Sequence, residues 1–494
     1  MMHQLSFTEF QSLCRLGRSV PVFRRIPADL GTPVSVYHAL REHAGESYLL
    51  ESLEGGAAGR YSFLGLNPSL RLAATGAVIT LHQEGVTREE RGDPFHVLRR
   101  LLQERRMVDV AGLPPLIGGA IGIISYDTVR RFEALPDQHP VDAACADLTF
   151  CFYDTILAFD HHAQTCTISV RVPAGCATRA DYELAVQRID AILSQIAKAS
   201  LPLPVAPRTV VAGAPDPVQV DLSDAEFAAR VQRAQEYIRA GDAFQIVLSR
   251  SFQRRVRASA FDIYRALRMT SPAPYMFLLE NGTVSVAGAS PEKLVSVQDG
   301  VMETHPIAGT RPVPAEGDLS RIADELRNDP KECAEHMMLV DLARNDLGRI
   351  AAPGSVQASE LASIQRLARV MHLRSRVTAT LPAGRDALDA LRATLPAGTL
   401  SGAPKIRAME IIDELESSRR GLFGGAVCYF DNRGNMDSCI AIRMAVLQDG
   451  VATVRAGAGV VLDSDPASEA RETRHKAAGV LAALELAEGG ALCF

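Results

Sequence analysis

Several signals that would place a chain in a common class are missing from these 494 residues. The nine cysteines include no C-x-x-C pair, so neither a zinc site nor a disulfide framework is indicated, and reduced cysteines are expected. No apolar run is long enough to span a membrane. The first residues lack the basic and apolar segments of a signal peptide, so we expect a cytoplasmic protein that does not associate with membranes.

Two further absences narrow the possible partners. No glycine-rich phosphate-binding loop stands between a predicted strand and a predicted helix, which weighs against a nucleotide cofactor. The net charge of −6 argues against general nucleic-acid binding, because phosphate backbones attract basic surfaces. The composition that remains, with 47% hydrophobic and 22% charged residues, is typical of a globular protein with more than one domain's worth of core.

The chain divides at a proline-rich stretch, residues 201–221, which predicts a linker. The region before it, residues 1–200, predicts an α+β arrangement with many antiparallel strands. Within that region, residues 147–160 are predicted to form one strand that pairs with residues 165–172. After the linker, Ser223 with Glu226 three residues later predicts a capped helix start.

Two helices in the second region begin with the same signal, Asp-Pro at residues 329–330 and again at 465–466. Each pair supplies an N-cap acceptor followed by proline at the first helical position. Each helix then carries two glutamates three residues apart on one face: Glu332 and Glu335, and Glu469 and Glu472. Taken alone, such pairs usually form solvated faces. If the two faces meet, four carboxylates converge and require a cation, for which all-oxygen ligation favours Mg²⁺.

Ordered motifs across the same region closely resemble those of the chorismate-utilising enzymes. The motifs occupy residues 306–311, 331–336, 341–346, 398–405 and 456–459. Within that family the chain is similar to the large subunits of anthranilate synthase, strongly over residues 222–488 and weakly before them. The resemblance implies an α+β fold of large antiparallel sheets flanked by helices. It also implies that residues 1–200 form a regulatory half with feedback-site elements, and that residues 222–488 form the chorismate-binding catalytic region.

The resemblance implies that chorismate is aminated at C2, loses its C4 hydroxyl and then loses pyruvate to give anthranilate. Hydroxide is a poor leaving group, so a general acid is needed. The resemblance places this acid at Glu292, which must then be protonated near neutral pH. Mg²⁺, held by the four glutamates, is expected to grip the ring carboxylate of chorismate and to withdraw electrons from the ring.

Further site residues are implied by the same motifs. His372 is expected to contact the substrate and to be a base for the elimination, although a lone histidine in an apolar strand is more often a core residue. Arg443 and Lys476 are candidates for binding the enolpyruvyl carboxylate. The other expected pocket residues are Gly309, Thr310, Thr399, Phe423, Gly457 and Gly459. Phe423 replaces the tyrosine that the family usually has, so a contact through a phenol is excluded.

The relatives that add water to chorismate place a lysine at the position of Gln245, and that lysine activates the water. Gln245 therefore distinguishes this chain from them. A glutamine has no titratable nitrogen, so ammonia is the expected nucleophile. An aminodeoxychorismate synthase is the alternative function within the family. Those enzymes often carry a lysine at the position of Ala308, whereas anthranilate synthases have alanine there. A metallohydrolase is an alternative from another class, but it would have no reason to keep Gln245, Arg443 and residues 308–310. A catalytically silent protein that binds chorismate or tryptophan is a further alternative, and the presence of the four glutamates, Glu292 and Lys476 argues against it.

The chain lacks the Gly-x-Cys-x-Gly turn of glutaminase domains. Ammonia is therefore expected from solution or from a separate glutamine amidotransferase subunit, in a hetero-oligomer. Residues 49–52 and 271–277 resemble the two elements that bind the feedback inhibitor L-tryptophan. Glu51 and Ser52 are expected to supply polar contacts, and Pro274, Tyr275 and Met276 to wall an apolar slot. The alternative for these two segments is a β-edge and a proline turn in the core.

Overall fold

A computed structural model describes residues 3–41, 44–53, 59–141, 145–199, 216–313, 319–366 and 370–489. Within those residues the strands are β1 (His3–Gln4), β2 (Val20–Pro27), β3 (Ser47–Glu51), β4 (Tyr61–Leu66), β5 (Leu70–Thr75), β6 (Val78–Gln83), β7 (Val86–Arg91), β8 (Gly119–Ile124), β9 (Leu148–Phe152), β10 (Thr155–Asp160), β11 (Thr165–Val172), β12 (Gln219–Val220), β13 (Gln245–Arg255), β14 (Tyr275–Asn281), β15 (Val284–Ser290), β16 (Ser296–Gln298), β17 (Val301–Thr304), β18 (Ile307–Pro312), β19 (Gln357–Arg366), β20 (Val370–Thr380), β21 (Gly402–Ala403), β22 (Ala426–Asp431), β23 (Met436–Ile440), β24 (Met444–Gln448) and β25 (Val451–Val460).

The α-helices in the same described residues are α1 (Phe7–Cys14), α2 (Pro33–Arg41), α3 (Pro94–Glu104), α4 (Arg179–Lys198), α5 (Asp224–Ala240), α6 (Ala260–Thr270), α7 (Leu319–Asn328), α8 (Pro330–Gly348), α9 (Ala387–Thr394), α10 (Gly398–Ser401), α11 (Lys405–Leu415) and α12 (Pro466–Ala487). A 3₁₀ turn covers Tyr126–Arg131. None of the described helices is long and apolar enough to cross a membrane.

The strands form two large antiparallel sheets. The first has the order β1-β2-β11-β10-β4-β3-β14-β15-β24-β25-β13-β12, with β21 paired to β13. The second has the order β18-β20-β17-β16-β23-β22-β8-β9-β5-β6-β7, with β19 paired to β20. Helices pack on both sheets, for example α12 and α6 on the first and α8 on the second. The predicted α+β fold is confirmed.

Both sheets contain strands from either side of the proline-rich stretch. In the first sheet β3 pairs with β14, and in the second β8 pairs with β22. One hydrophobic core includes side chains of both sheets and of both regions. The regions 1–200 and 222–488 therefore share their sheets, and their separate regulatory and catalytic roles stay a prediction. Residues 201–215 of the stretch lie outside the described residues, and its last part forms β12 against β13.

The prediction of one strand over residues 147–160 is wrong. The segment forms β9, which pairs with β5 and β8 in the second sheet, and β10, which pairs with β4 and β11 in the first. Asp154 lies at the break and accepts hydrogen bonds from Arg171 Nε at 2.7 Å and Arg105 Nη2 at 3.1 Å. Those two arginines fix the point at which the chain passes from one sheet to the other.

The predicted helix starts are confirmed. Asp329 caps α8 by accepting hydrogen bonds from the backbone N–H groups of Lys331 at 3.0 Å and Glu332 at 3.2 Å. Asp465 caps α12 by accepting one from Ser468 at 2.8 Å. These caps place the leading glutamate of each pair, Glu332 and Glu469, in the first turn of its helix, where the helix dipole favours negative charge.

Candidate active site

A cavity of about 710 Å³ lies where α8, α10, α12 and the strands β13, β18, β20 and β25 approach one another. All of the predicted catalytic, metal and substrate residues except Thr310 line it: Gln245, Glu292, Gly309, Glu332, Glu335, His372, Thr399, Phe423, Arg443, Gly457, Gly459, Glu469, Glu472 and Lys476. Thr310 lies next to Gly309 on β18 and opposite His372 in the strand ladder. The contacts predicted for the Thr310 side chain lie outside the described residues.

Glu292 follows β15 and directs its carboxyl group into this cavity. Thr399 Oγ1 donates a hydrogen bond to Glu292 Oε1 at 3.0 Å. Burial raises the pKa of Glu292 to about 7, against the lowering effects of the Thr399 hydroxyl and the Lys476 ammonium. Near neutral pH a large fraction of Glu292 is therefore protonated, as a general acid must be.

His372 lies on β20 with its ring fixed by the neighbouring strand. Its Nδ1 lies 2.9 Å from the carbonyl oxygen of Gly309. A carbonyl can only accept, so Nδ1 carries the proton and Nε2 carries the lone pair. Burial lowers the pKa of His372, and the nearby charge of Arg443 lowers it further. The imidazole is thus neutral near pH 7 and able to take a proton.

The glutamate faces of α8 and α12 border the same cavity. Burial raises the pKa of Glu335, and the charges of Glu332 and Glu472 raise it further. Burial and the charge of Glu472 likewise raise the pKa of Glu469. Negative charges from two helices therefore act on one another across the cavity, as the sequence predicts for faces that meet.

Two of these carboxylates pair with cationic side chains. Glu332 Oε1 lies 2.7 Å from Arg311 Nη1, and Glu472 Oε1 lies 2.6 Å from Lys476 Nζ. Across the described ranges, no group of three or more histidine, cysteine, aspartate or glutamate side chains is arranged to hold a metal ion. The carboxylates needed for a cation share one cavity, but they are not gathered around one point.

Arg443 and Lys476 bring positive charge to the cavity. Arg443 Nη1 donates to the carbonyl of Lys476 at 2.9 Å, and Lys476 Nζ donates to the carbonyl of Gly457 at 3.1 Å. The N–H and C=O of a strand residue point the same way, so the N–H of Gly457 also faces away from β13 and toward the cavity. A Cβ at Gly457 would lie 2.8 Å from the carbonyl oxygen of Leu248, so the strands approach too closely for a side chain there.

Gln245 begins β13 at the back of the cavity and is 5% exposed. Its Oε1 is buried and has no hydrogen-bond partner among the described residues. A Cβ at Gly459 would lie 2.7 Å from Gln245 Nε2, so the glycine leaves room for the amide. A buried amide oxygen without a partner is an acceptor ready for an N–H donor.

Comparison with known proteins identifies the family. The model of the chorismate binding enzyme family matches residues 46–482. The chain belongs to this family. Two curated relatives are both named anthranilate synthase component 1. The one from Streptomyces coelicolor is 43% identical, covering 97% of this chain and 92% of the relative. The one from Mycobacterium tuberculosis is 42% identical, covering 97% of this chain and 95% of the relative.

Solved structures agree with this assignment. Anthranilate synthase component I from Streptococcus pneumoniae superimposes with a TM-score of 0.76 at 34% identity, covering 92% of this chain and 98% of that one. The isochorismate synthase MenF from Escherichia coli gives a TM-score of 0.70 at 19% identity, covering 97% of this chain and 99% of that one, which shows the fold alone. The resemblance found in the sequence is confirmed, and the chain is a chorismate-utilising enzyme.

Sequence reasoning missed several residues that line the cavity of this chorismate-utilising enzyme, among them Lys331, Arg455 and His475. The helical spacing could have found His475, because it lies three residues after Glu472 on the same face. The strand period could have found Arg455, because it shares a face of β25 with Gly457.

A second cavity, of about 680 Å³, is lined by all five residues predicted for tryptophan: Glu51, Ser52, Pro274, Tyr275 and Met276. The polar contact predicted for the Glu51 carboxylate stays a prediction. That side chain is 1% exposed and accepts hydrogen bonds from Tyr264 Oη at 2.5 Å and Arg268 Nε at 3.0 Å, neither of which lines the cavity. Strand alternation places Glu51 on the opposite face of β3 from Leu50 and Ser52.

Proposed function

We propose that this chain is the large subunit of an anthranilate synthase. It converts chorismate and ammonia to anthranilate, pyruvate and water, in a Mg²⁺-dependent reaction that is the first step of tryptophan biosynthesis. The observation that carries this proposal is the placement of Glu292, with a pKa of about 7, in one cavity with Gln245, Arg443 and Lys476. That cavity combines an acid for a poor leaving group with cations for a dianionic substrate.

The chain's own groups account for each proton. Arg443 and Lys476 hold the enolpyruvyl carboxylate, which orients the ring. Glu292 gives its proton to the C4 hydroxyl, which leaves as water while ammonia attacks C2. The unpartnered Oε1 of Gln245 accepts an N–H of the incoming ammonia, and it cannot act as a base toward water. Glu292, now a carboxylate, takes up the proton that the new ammonium group at C2 loses. His372 Nε2 then removes the proton from C2 as the enolpyruvyl group leaves C3 and the ring becomes aromatic, and the imidazolium returns that proton to the departing enolate, which gives pyruvate.

The donor set of the cavity suits Mg²⁺. Four carboxylates, Glu332, Glu335, Glu469 and Glu472, supply the hard oxygen ligands that this ion prefers. Burial, and after it the repulsion between these carboxylates, raises the pKa of Glu335 and Glu469, and a divalent cation would relieve that repulsion. Bound there, the ion would neutralise the ring carboxylate of chorismate and polarise the conjugated ring.

Ammonia comes, in this proposal, from a separate glutamine amidotransferase subunit, because the chain has no glutaminase nucleophile motif of its own. The cytoplasm is the proposed compartment. The eight cysteines that the structure describes are all free thiols, a state that a reducing compartment maintains.

We also propose that L-tryptophan binds the 680 Å³ cavity and inhibits the enzyme. Aromatic and apolar side chains there, including Phe63 and Tyr275, suit an indole ring. Lys293 and Arg374 line the same cavity and can pair with an amino-acid carboxylate. Pro291, Ile307 and Gln365 line both this cavity and the active site, so occupation of one affects the wall of the other.

One assay tests the central proposal. Purified protein is mixed with chorismate and ammonium, with and without Mg²⁺, and the fluorescence of anthranilate is followed. We expect anthranilate and pyruvate in equal amounts, and only when Mg²⁺ is present. Aminodeoxychorismate or isochorismate as the main product, or no product at all, would contradict the assignment.

A further inference from the structure

Behind one wall of the active-site cavity lies a buried ion pair that the reaction scheme does not use. Glu416 and Arg420 have side chains that are 3% and 2% exposed, with Arg420 Nη2 lying 2.5 Å from Glu416 Oε1. Glu416 Oε1 also accepts from the backbone N–H of Ser249 at 2.7 Å, and Arg455 Nη2 lies 2.8 Å from Glu416 Oε2. The guanidinium of Arg420 stacks on Tyr126, 4.5 Å from the ring centre.

Arg420 contacts three residues that line the cavity, although it does not line the cavity itself. Its Nη1 donates to the carbonyl of Leu400, and its Nη2 donates to the carbonyl of Val247 at 2.6 Å. Its own carbonyl accepts from the backbone N–H of Phe423 at 3.3 Å. One side chain and its backbone therefore join three separate segments of the wall.

One of those segments carries the contact to the general acid. Leu400 directly follows Thr399, and the Thr399 hydroxyl donates to Glu292 at 3.0 Å. A buried ion pair adds little net stability, because desolvation of the two charges offsets their attraction. The contacts of this pair therefore indicate a role other than stability: they hold α10 in place relative to Glu292.

We propose that Arg420, itself held by Glu416, is a positioning residue for the general acid. By fixing the Leu400 and Val247 carbonyls, its side chain keeps the Thr399 hydroxyl against Glu292. This inference rests on the proposed function. That function fails if the unmutated enzyme makes no anthranilate, whereas this inference fails only in the variants described next.

The test compares Arg420→Lys with Arg254→Lys. Lysine keeps the charge, but one ammonium cannot reproduce the planar fork that reaches both carbonyls and Glu416. Arg254 is also buried, and it pairs with Glu485 on α12, so its replacement controls for the loss of a buried guanidinium. For each variant kcat and KM for chorismate are measured as functions of pH, together with the unfolding temperature.

The Thr399 hydrogen bond lowers the pKa of Glu292, so loosening it raises that pKa. Glu292 must be protonated to act. The alkaline limb of the pH–rate profile, where the rate falls, should therefore move upward by roughly one pH unit in Arg420→Lys. A fall in kcat of about tenfold to a hundredfold is expected from misplacement of the acid. The other charged or titratable groups around Glu292 stay in place: Lys476, His372 and Arg443 in the cavity, and Lys293, His305 and Asp346 in the small void behind it.

Thr399→Val should shift the alkaline limb in the same direction, and adding Arg420→Lys should shift it no further. Arg254→Lys should lower the unfolding temperature without moving the limb. An unmoved limb in Arg420→Lys, or shifts that add in the double variant, would overturn the inference. If Arg420→Lys does not fold, Glu416→Gln replaces it with the same expectation. Failure of both to fold, while Arg254→Lys folds, would show a purely structural role and would likewise overturn it.

Discussion

Replacing the proposed general acid with its neutral isostere, Glu292→Gln, should abolish catalysis and at the same time stabilise the folded chain above neutral pH. The loss of catalysis follows because the variant has no proton to give to the C4 hydroxyl, which is expected to cost about 10²–10⁴-fold in kcat. The gain in stability follows from burial. Glutamine keeps the shape and can still accept from the Thr399 hydroxyl, and it carries no charge that must be desolvated.

The size of the gain comes from the pKa of Glu292, which burial raises from 4.5 to about 7. The folded chain holds this proton more tightly than the unfolded chain does. The stabilising contribution is therefore fully present below pH 4.5 and is lost as the pH rises through 7. Between pH 5 and pH 8 the loss amounts to about 2.5 kcal/mol, which Glu292→Gln avoids.

The measurement is thermal unfolding of the apo-protein at pH 5 and pH 8, for the unmutated chain and for Glu292→Gln. The variant should unfold a few degrees higher than the unmutated chain at pH 8. Most of this difference should disappear at pH 5, where the unmutated Glu292 is protonated. Glu51→Gln is the matched control, because Glu51 is also buried but is held by Arg268. It should lower the unfolding temperature at both pH values.

Two results would refute this reasoning. Equal unfolding temperatures of the unmutated chain and Glu292→Gln at pH 8 would show that burial of the charged carboxylate does not lower the free energy of unfolding. Anthranilate formation by Glu292→Gln at a rate near that of the unmutated enzyme would show that another group protonates the leaving hydroxyl.

Other predictions address the rest of the site. Glu335→Gln or Glu472→Gln should abolish activity without changing the circular dichroism spectrum, and near-normal turnover at saturating Mg²⁺ would contradict the four-carboxylate site. Because Gln245 cannot activate water, chorismate and Mg²⁺ without ammonium should give no isochorismate by chromatography. Gly459→Ala should displace the Gln245 amide and raise KM for ammonium more than for chorismate. Ser52→Phe should relieve tryptophan inhibition with little loss of activity. If millimolar tryptophan does not inhibit the unmutated enzyme, the proposed tryptophan site is refuted.

Local chemistry explains what the sequence could predict. The Asp-Pro pairs start α8 and α12 because side-chain capping and the fixed φ of proline act within a few residues. The strand containing Gln245 was likewise predictable from its apolar run. The spacing of Glu332 and Glu335 placed them on one helix face, but it could not identify what that face packs against. Whether that face meets the face of Glu472, more than a hundred residues later, depends on the packing of both helices on the sheets.

What the sequence could not predict likewise depends on how distant parts of the chain pack together. The apolar run across residues 147–160 has the pattern of one long strand, and only Asp154 with its two arginines shows that the chain changes sheets. The place of Arg420 behind the active site gave no signal, because its partners other than Glu416 are backbone carbonyls that any sequence provides.

The two cavities meet at residues 291–293, and this has a consequence for regulation. Pro291 lines both cavities, Glu292 is the proposed acid, and Lys293 lines the cavity proposed for tryptophan. An inhibitor bound to Lys293 therefore acts on a segment whose middle residue must keep its contact with Thr399. A ligand shifts a conformational equilibrium only by its differential affinity for the two states. If the less active state is one in which this segment moves, tryptophan should lower kcat as well as raise KM for chorismate, whereas competition at the active site would change KM alone.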